Sequence, residues 1–233
     1  MKKFLLVSLF AIMLSPSYAQ LFKIAGHDVG FVYVGPKAGM NFASISNYGT
    51  SPERKVGYHL GVVGEIGLTS MLSLEGELLY NSKGVIDDLG VAKDKIKVNY
   101  LGIPLLAKLS FDFIGLSKVY ALGGAYANVR TGGSATYEFE SAGHSEDPRP
   151  LTSDEWKRTE WGLVLGAGAE YDIKYGKLGL GLRYEQGVSK VTKGALDNNN
   201  RSSNFGFSLT FKYDLVDLFF RMKNKKNEEA PSE

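Results

Sequence analysis

The segment from Asn204 to Tyr213, N-F-G-F-S-L-T-F-K-Y, leaves the chain little conformational choice. Phe205, Phe207, Leu209, Phe211 and Tyr213 are large and apolar. Gly206, Ser208, Thr210 and Lys212 between them are small or polar. A strict period of two puts each set on its own face of a β-strand.

The same alternation recurs along the chain. From Val34, the residues Val34, Pro36, Ala38, Met40 and Phe42 share one face, and Gly35, Lys37, Gly39 and Asn41 share the other. Pro36 lacks a ladder donor, so a bulge or imperfect pairing is expected there. Further strands are predicted over 56–68, 72–83, 95–111, 119–129, 160–171 and 178–184. In 95–111 the alternation of Ile96, Val98 and Tyr100 blurs around Pro104, which predicts a second bulge. With the first and last segments this makes eight strands. The connectors alternate in length. They are long at 43–54, 84–94, 130–159 and 188–203, and short at 69–71, 112–117 and 172–176. An even number of antiparallel strands with this rhythm predicts an up-and-down transmembrane β-barrel. Its termini and short turns lie on the periplasmic side and its long loops outside.

The charges separate the two surfaces. The parity opposite the leucines and aromatics carries Lys37, His59, Glu65, Glu75, Glu77, Glu170, Arg183, Glu185 and Lys212. So many ionised groups do not fill a dry protein core. They fill a polar lumen as a structural network, and the apolar parity faces lipid. Tyr58, Tyr80, Tyr126, Trp161, Tyr171, Tyr184 and Tyr213 then read as interfacial girdles. Eight strands leave an interior just wide enough for side chains, so no open diffusion pore is expected.

The N-terminus is a separate object. Lys2 and Lys3, the apolar run Phe4–Leu14 and the small residues of Ser17-Tyr18-Ala19 form a signal peptide pattern over 1–19. A periplasmic lead-in over 20–30, the barrel over 31–214 and a periplasmic tail over 215–233 complete the predicted organisation. The formal charge of +2 equals the contribution of Lys2 and Lys3, so the rest of the chain is balanced and has no global field for nucleic acid. There is no cysteine, hence no disulfide framework or lipidated cysteine at the cleavage point. Beyond the signal no apolar run is long enough for a transmembrane helix. The expected location is the outer membrane.

V-G-P-K-A-G-M-N-F-A, L-S-L-E-G-E-L-L-Y-N-S-K-G, V-N-Y-L-G-I-P-L-L-A-K, W-G-L-V-L-G-A-G-A-E-Y and L-R-Y-E-Q-G together resemble the PorT-like family of small outer-membrane β-barrels found in Bacteroidota. The most specific piece is Tyr100–Pro104 followed by Lys108; Gly102 stands where members often carry Glu. The resemblance spans roughly residues 30–213 and implies an eight-stranded barrel. One member serves the type IX secretion system, so a link to secretion is an expectation of the resemblance alone. The last strand also resembles the signal read by the barrel-assembly machinery, with Asn204, Gly206, Leu209 and Phe211 in register.

Chemistry is sparse. His59 lies on an inward strand position, but no motif binds a serine to it, and a hydrolase needs a nucleophile beside its base. The glycines of the G-A-G-A-E-Y and L-G-G-A-Y tracts lie in strands with no following helix, which argues against phosphate binding. No metal-ligand spacing occurs, and neither a cofactor nor catalysis is expected. The long loop 130–159 is the best functional candidate, either as a polar hydrated cap or as a contact surface for a partner protein with Phe139, His144 and Trp156 as its candidate residues. The expected function is a non-enzymatic membrane anchor or interaction component. Its expected partners are outer-membrane lipid, the barrel-assembly machinery and other envelope or secretion proteins. The alternative is a narrow channel for small solutes.

Overall fold

The computed structural model describes residues 23–24, 27–28, 31–46, 52–88, 92–113, 115–139, 144–145, 147–152, 154–193 and 200–215. The signal segment and most of the tail lie outside them. Long strands run over Val32–Ile45 (β1), Pro52–Gly67 (β2), Leu72–Asp88 (β3), Ala92–Phe113 (β4), Leu116–Phe139 (β5), Thr159–Ile173 (β6), Gly176–Gly187 (β7) and Ser202–Asp214 (β8). Each pairs antiparallel with the next, and β8 returns to β1. Phe205 lies opposite Phe42 and Leu209 opposite Ala38 at that seam. The chain is therefore a closed eight-stranded antiparallel barrel.

Short turns close one end. Thr69 Oγ1 accepts the amides of Met71 and Leu72 at 3.2 and 2.9 Å. Gly115 takes φ +76° between β4 and β5, a conformation that suits glycine. At the other end the strands outgrow their predicted limits. β3 reaches Asp88, β4 starts at Ala92 and β5 continues to Phe139, where loops were expected over 84–94 and from 130. Two dipeptide strands, His144–Ser145 and Arg149–Pro150, add onto the far part of β5.

β4 explains why its pattern misled. No bulge occurs at Pro104: the β3 register is the same on both sides of it, with Gly76 opposite Leu105 and Leu79 opposite Gly102. Alternation along β4 is unbroken, with even-numbered residues inside from Asp94 to Ser110. The environment changes instead. Beyond the bilayer, Ile96, Val98 and Tyr100 are buried inside the barrel. Within it, Leu101, Ile103, Leu105, Leu109 and Phe111 are exposed on the outer wall. Pro36 behaves similarly: Thr210 pairs with Lys37 and Tyr213 with Val34 without a shift. The irregularities that exist lie between Arg54 and His59 on β2, at Asn99/Tyr100 and at Phe111/Phe113.

β5 also departs from the expected faces. Tyr126 is buried in the lumen rather than standing in a girdle, and Leu122 is buried with it. The lipid side of β5 is made of Ala121, Gly123, Ala125 and Ala127, and Leu165 of β6 leans over it: a Cβ at Gly123 would meet Leu165 Cδ2 at 3.2 Å. Large neighbours cover small residues outside, which frees the large β5 side chains to point inward.

Candidate functional site

The lumen is built by the inward residues of every strand. Lys37, His59, Glu65, Glu75, Glu77, Glu170, Arg183 and Glu185 are all buried in it. The charges fall into tiers. Nearest the short turns, Lys108 Nζ lies 3.0 Å from Glu65 and 2.5 Å from Glu170. Lys212 bonds Glu65 and also reaches Glu75 at 3.1 Å and Glu170 at 2.8 Å. Ser73 donates to Glu65 at 2.7 Å. The Lys108 ammonium also stands 4.5 Å from the centre of the Tyr120 ring, which adds a cation–π attraction.

The middle tier joins Lys37 to Glu77 at 2.5 Å and Arg183 Nη1 to Glu77 at 2.7 Å. Arg183 Nε lies 3.1 Å from Glu185, whose other oxygen takes Lys83 at 2.6 Å. Asn204 donates to Glu185 at 3.1 Å. Nearer the long-strand end, Tyr126 donates to Glu160 at 2.6 Å, and Ser202 bonds the same oxygen. Each carboxylate in these two lower tiers therefore meets a cation, as burial of charge requires.

His59 is shut inside this network. Its Nδ1 lies 2.8 Å from Asn41 Oδ1, and Nε2 has no hydrogen-bond partner among the described residues. A nucleophile beside a base is the first requirement of a hydrolase, and among the described residues no serine bonds this ring.

An apolar plug closes the long-strand end. Ile45, Val85, Ile96, Val98, Tyr100, Ala135, Leu151, Trp156 and Val191 form one buried cluster. Connectors fold inward to complete it. Leu151 N donates to Gly133 O at 3.1 Å, and Arg130 Nη1 donates to Leu151 O at 2.9 Å. Lys157 N donates to Val191 O and Lys193 N to Glu155 O, both at 2.8 Å. Trp156 is thus a keystone of the plug, 1% exposed, and is not displayed to a partner. Phe139 and His144 pair backbone to backbone at the far end of β5. A cavity at the plug's edge, lined in part by Ile45, Lys83 and Tyr100, holds about 10 Å³, room for no more than one water.

Several members of the network were not singled out from sequence. Lys83 and Lys108 follow the same inward parity as their neighbours, so counting parity through the apparent breaks finds them. Lys177 and Glu160 sit at the second positions of their strands, where alternation has no run before them to establish it. Of the proposed assembly residues, Asn204 and Gly206 face the lumen and Leu209 and Phe211 the outer wall of β8.

The chain is similar to several solved outer-membrane proteins. Neisserial surface protein A is 18% identical, with 78% of this chain and 97% of that one covered and a TM-score of 0.44. The attachment invasion locus protein Ail of Yersinia pestis is 14% identical over 78% and 98%, with a TM-score of 0.38. The outer membrane protein AlkL is 14% identical over 83% and 95%, with a TM-score of 0.40. No curated protein matches the chain. The model of the outer membrane protein beta-barrel domain matches residues 18–193. The closed barrel with its lipid-facing apolar wall and charged lumen thus belongs to the outer membrane protein beta-barrel domain family.

Proposed function

We propose that this outer-membrane barrel is a non-enzymatic anchor that presents its long-strand end at the cell surface, with both termini in the periplasm. One observation carries the reading. The lumen is filled by paired charges and closed by a plug, while β4 and β5 continue well past the lipid-facing apolar wall. A barrel that transports nothing but builds an ordered platform beyond the membrane is suited to hold a partner. The outer extension of β5, with its added strands at 144–145 and 149–150, is the proposed contact surface. Phe139 and His144 belong to it. The resemblance to PorT-like barrels favours an envelope or secretion component as that partner. β8 supplies the proposed address for the barrel-assembly machinery through Asn204, Gly206, Leu209 and Phe211.

Deleting residues 140–148 should leave a folded barrel but abolish co-purification of envelope partners from the native outer membrane. Unchanged co-purification rejects this surface. A narrow solute channel is the second reading, favoured only by the continuous polar lining of the lumen. Steady single-channel steps in planar bilayers would establish it in place of the anchor.

A further inference from the structure

One side of the barrel carries a basic ladder just beyond its lipid-facing wall. On β4, Lys93, Lys95 and Lys97 alternate with the buried Asp94, Ile96 and Val98, so all three point away from the lumen. Lys97 lies opposite Gly84 of β3, and Lys95 opposite Ile86. The stem of Lys55, from β2, crosses the same patch: a Cβ at Gly84 would come 2.7 Å from Lys55 Cδ. Burial, together with the charges of Lys95 and Lys97, holds the Lys55 ammonium below its ordinary pKa in this part of β2 beyond the bilayer. Arg54 stands next to it and donates to Phe42 O at 3.1 Å. Carboxylates enter the patch as well, with Asp88 of β3 opposite Lys93. Glu138 bonds Lys95 at 2.5 Å, and the exposed Glu53 lies opposite Ile86. Cations still outnumber them.

The depth of the ladder is set by its neighbours. Tyr58 and Tyr80 lie with ring centres 6.3 Å apart on the outer wall, where aromatic residues mark the membrane interface. Tyr80 is opposite Leu101, the last large apolar residue of the lipid-facing stripe on β4. Lys97 is two outward positions further on, a rise of roughly 10 Å along a tilted strand. Lysine stems of this length reach back to head-group level. The wall made by β7, β8 and β1 differs. Beyond Tyr184, Phe205 and Phe42 it places Gln186, Ser203 and Ser44, all uncharged. One outward position further this wall carries a single cation, the exposed Arg201, where β2 and β4 carry Lys55, Lys95 and Lys97.

We propose that Lys55, Lys95 and Lys97 form a docking site for the phosphate groups of a phosphorylated lipid in the outer leaflet. Lys95 and Lys97 stand on the outer parity of β4 and the Lys55 stem lies over Gly84 beside them, so the three gather on the outer surface of the barrel. Acyl chains of the same molecule would run down the stripe headed by Leu101 and Ile103. An anion between Lys55, Lys95 and Lys97 removes their mutual repulsion, which the single carboxylate of Glu138, bonded to Lys95 and also attracting Lys55, offsets in part. The inference rests on the proposed orientation, which places this end outside.

The test titrates the purified full barrel in zwitterionic detergent micelles with a bis-phosphorylated acylated disaccharide lipid. Its dephosphorylated form and inorganic phosphate serve as separate probes. Each basic residue near a charged surface contributes about a factor of five, so the triple variant K55Q/K95Q/K97Q should lose on the order of 100-fold in affinity. The single variant K97Q should lose about five-fold, and it covers the case in which the triple variant does not fold. Equal binding by wild type and the folded variant overturns the proposal. So does equal affinity for the dephosphorylated lipid, or displacement by millimolar inorganic phosphate, which would make the site one for free phosphate. Surface labelling of intact cells at a cysteine introduced for Lys93 tests the orientation separately. Labelling only after permeabilisation removes the outer-leaflet assignment even where micellar binding persists.

Discussion

Arg183 joins two carboxylates at the middle of the lumen, so its removal tests whether the buried charges hold the barrel together. In Arg183→Met the side chain keeps its length and loses its charge. Glu77 retains Lys37 at 2.5 Å and Glu185 retains Lys83 at 2.6 Å. Across the three tiers, however, Lys37, Lys83, Lys108, Lys177, Arg183 and Lys212 are matched by Glu65, Glu75, Glu77, Glu160, Glu170 and Glu185, so the loss of Arg183 leaves one lumen carboxylate uncompensated. Breaking a buried pair by removing one partner costs about 3–5 kcal/mol. The surviving lysines argue for the low end, about 3 kcal/mol. With a urea dependence of about 2 kcal/mol per M, the unfolding midpoint in lipid vesicles should fall by about 1.5 M. The companion variant R183M/E77Q restores the charge count and should recover most of the loss, because replacing both members of a buried pair is often close to neutral. Heat-modifiable migration on an unboiled gel gives an independent reading of the same order. An R183M midpoint within error of wild type would refute the network as a source of stability. A double variant as weak as the single one would refute charge balance as its cause.

Other outcomes follow from particular contacts. Leu165→Arg, on the outer wall with 68% exposure, should destabilise the barrel in vesicles by about 2–4 kcal/mol, measured by urea titration. Trp156→Ala should loosen the plug and speed proteolysis of the connectors around 147–158 while the heat-resistant barrel persists; an unchanged digestion rate counts against the plug. Gly168→Val should fail to refold, since a Cβ there would stand 2.2 Å from Leu180 O and 2.4 Å from Tyr120 Oη. Gly64→Ala meets nothing within 4 Å and should refold like wild type.

Much of the barrel could be read from residues because lipid imposes a simple rule on each strand. The closing pair of β8 with β1 follows from two alternating segments at the ends of the domain. The inward set from Lys37 to Glu185 follows from charge on one parity. The rule fails where its cause ends. Past the bilayer, water lies outside and the plug inside, so apolar residues change sides on an unbroken strand. Ile96, Val98 and Tyr100 therefore looked out of register with Ile103 and Leu105. β5 hid its continuation to Phe139 for a further reason, since the irregularity opposite Asn99/Tyr100 moves its inward parity from Tyr126 and Asn128 to Ala135, which Ser134 and Thr136 flank. Tyr126 was misplaced for another cause. Its lipid-side neighbours are small, and only the packing of Leu165 over β5 shows why. Trp156 looked like an anchor because an aromatic in a long polar connector carries no mark of the inward fold that buries it.

The reversal on β4 also fixes how high the molecule rides. Between Asn99 and Leu101 the outer wall passes from amide and ammonium groups to leucine, and Phe113 ends the stripe at the other side. That span rises roughly 30 Å, close to the hydrocarbon thickness of a bilayer. The strand is in effect a ruler with its upper mark written in polarity. Shifting that mark by two outward positions, as in Asn99→Leu with Lys97→Leu, would draw the barrel inward by about 5 Å for each position converted. The plug would move with it, so the same marking that seats the barrel in lipid sets how far its platform stands from the membrane.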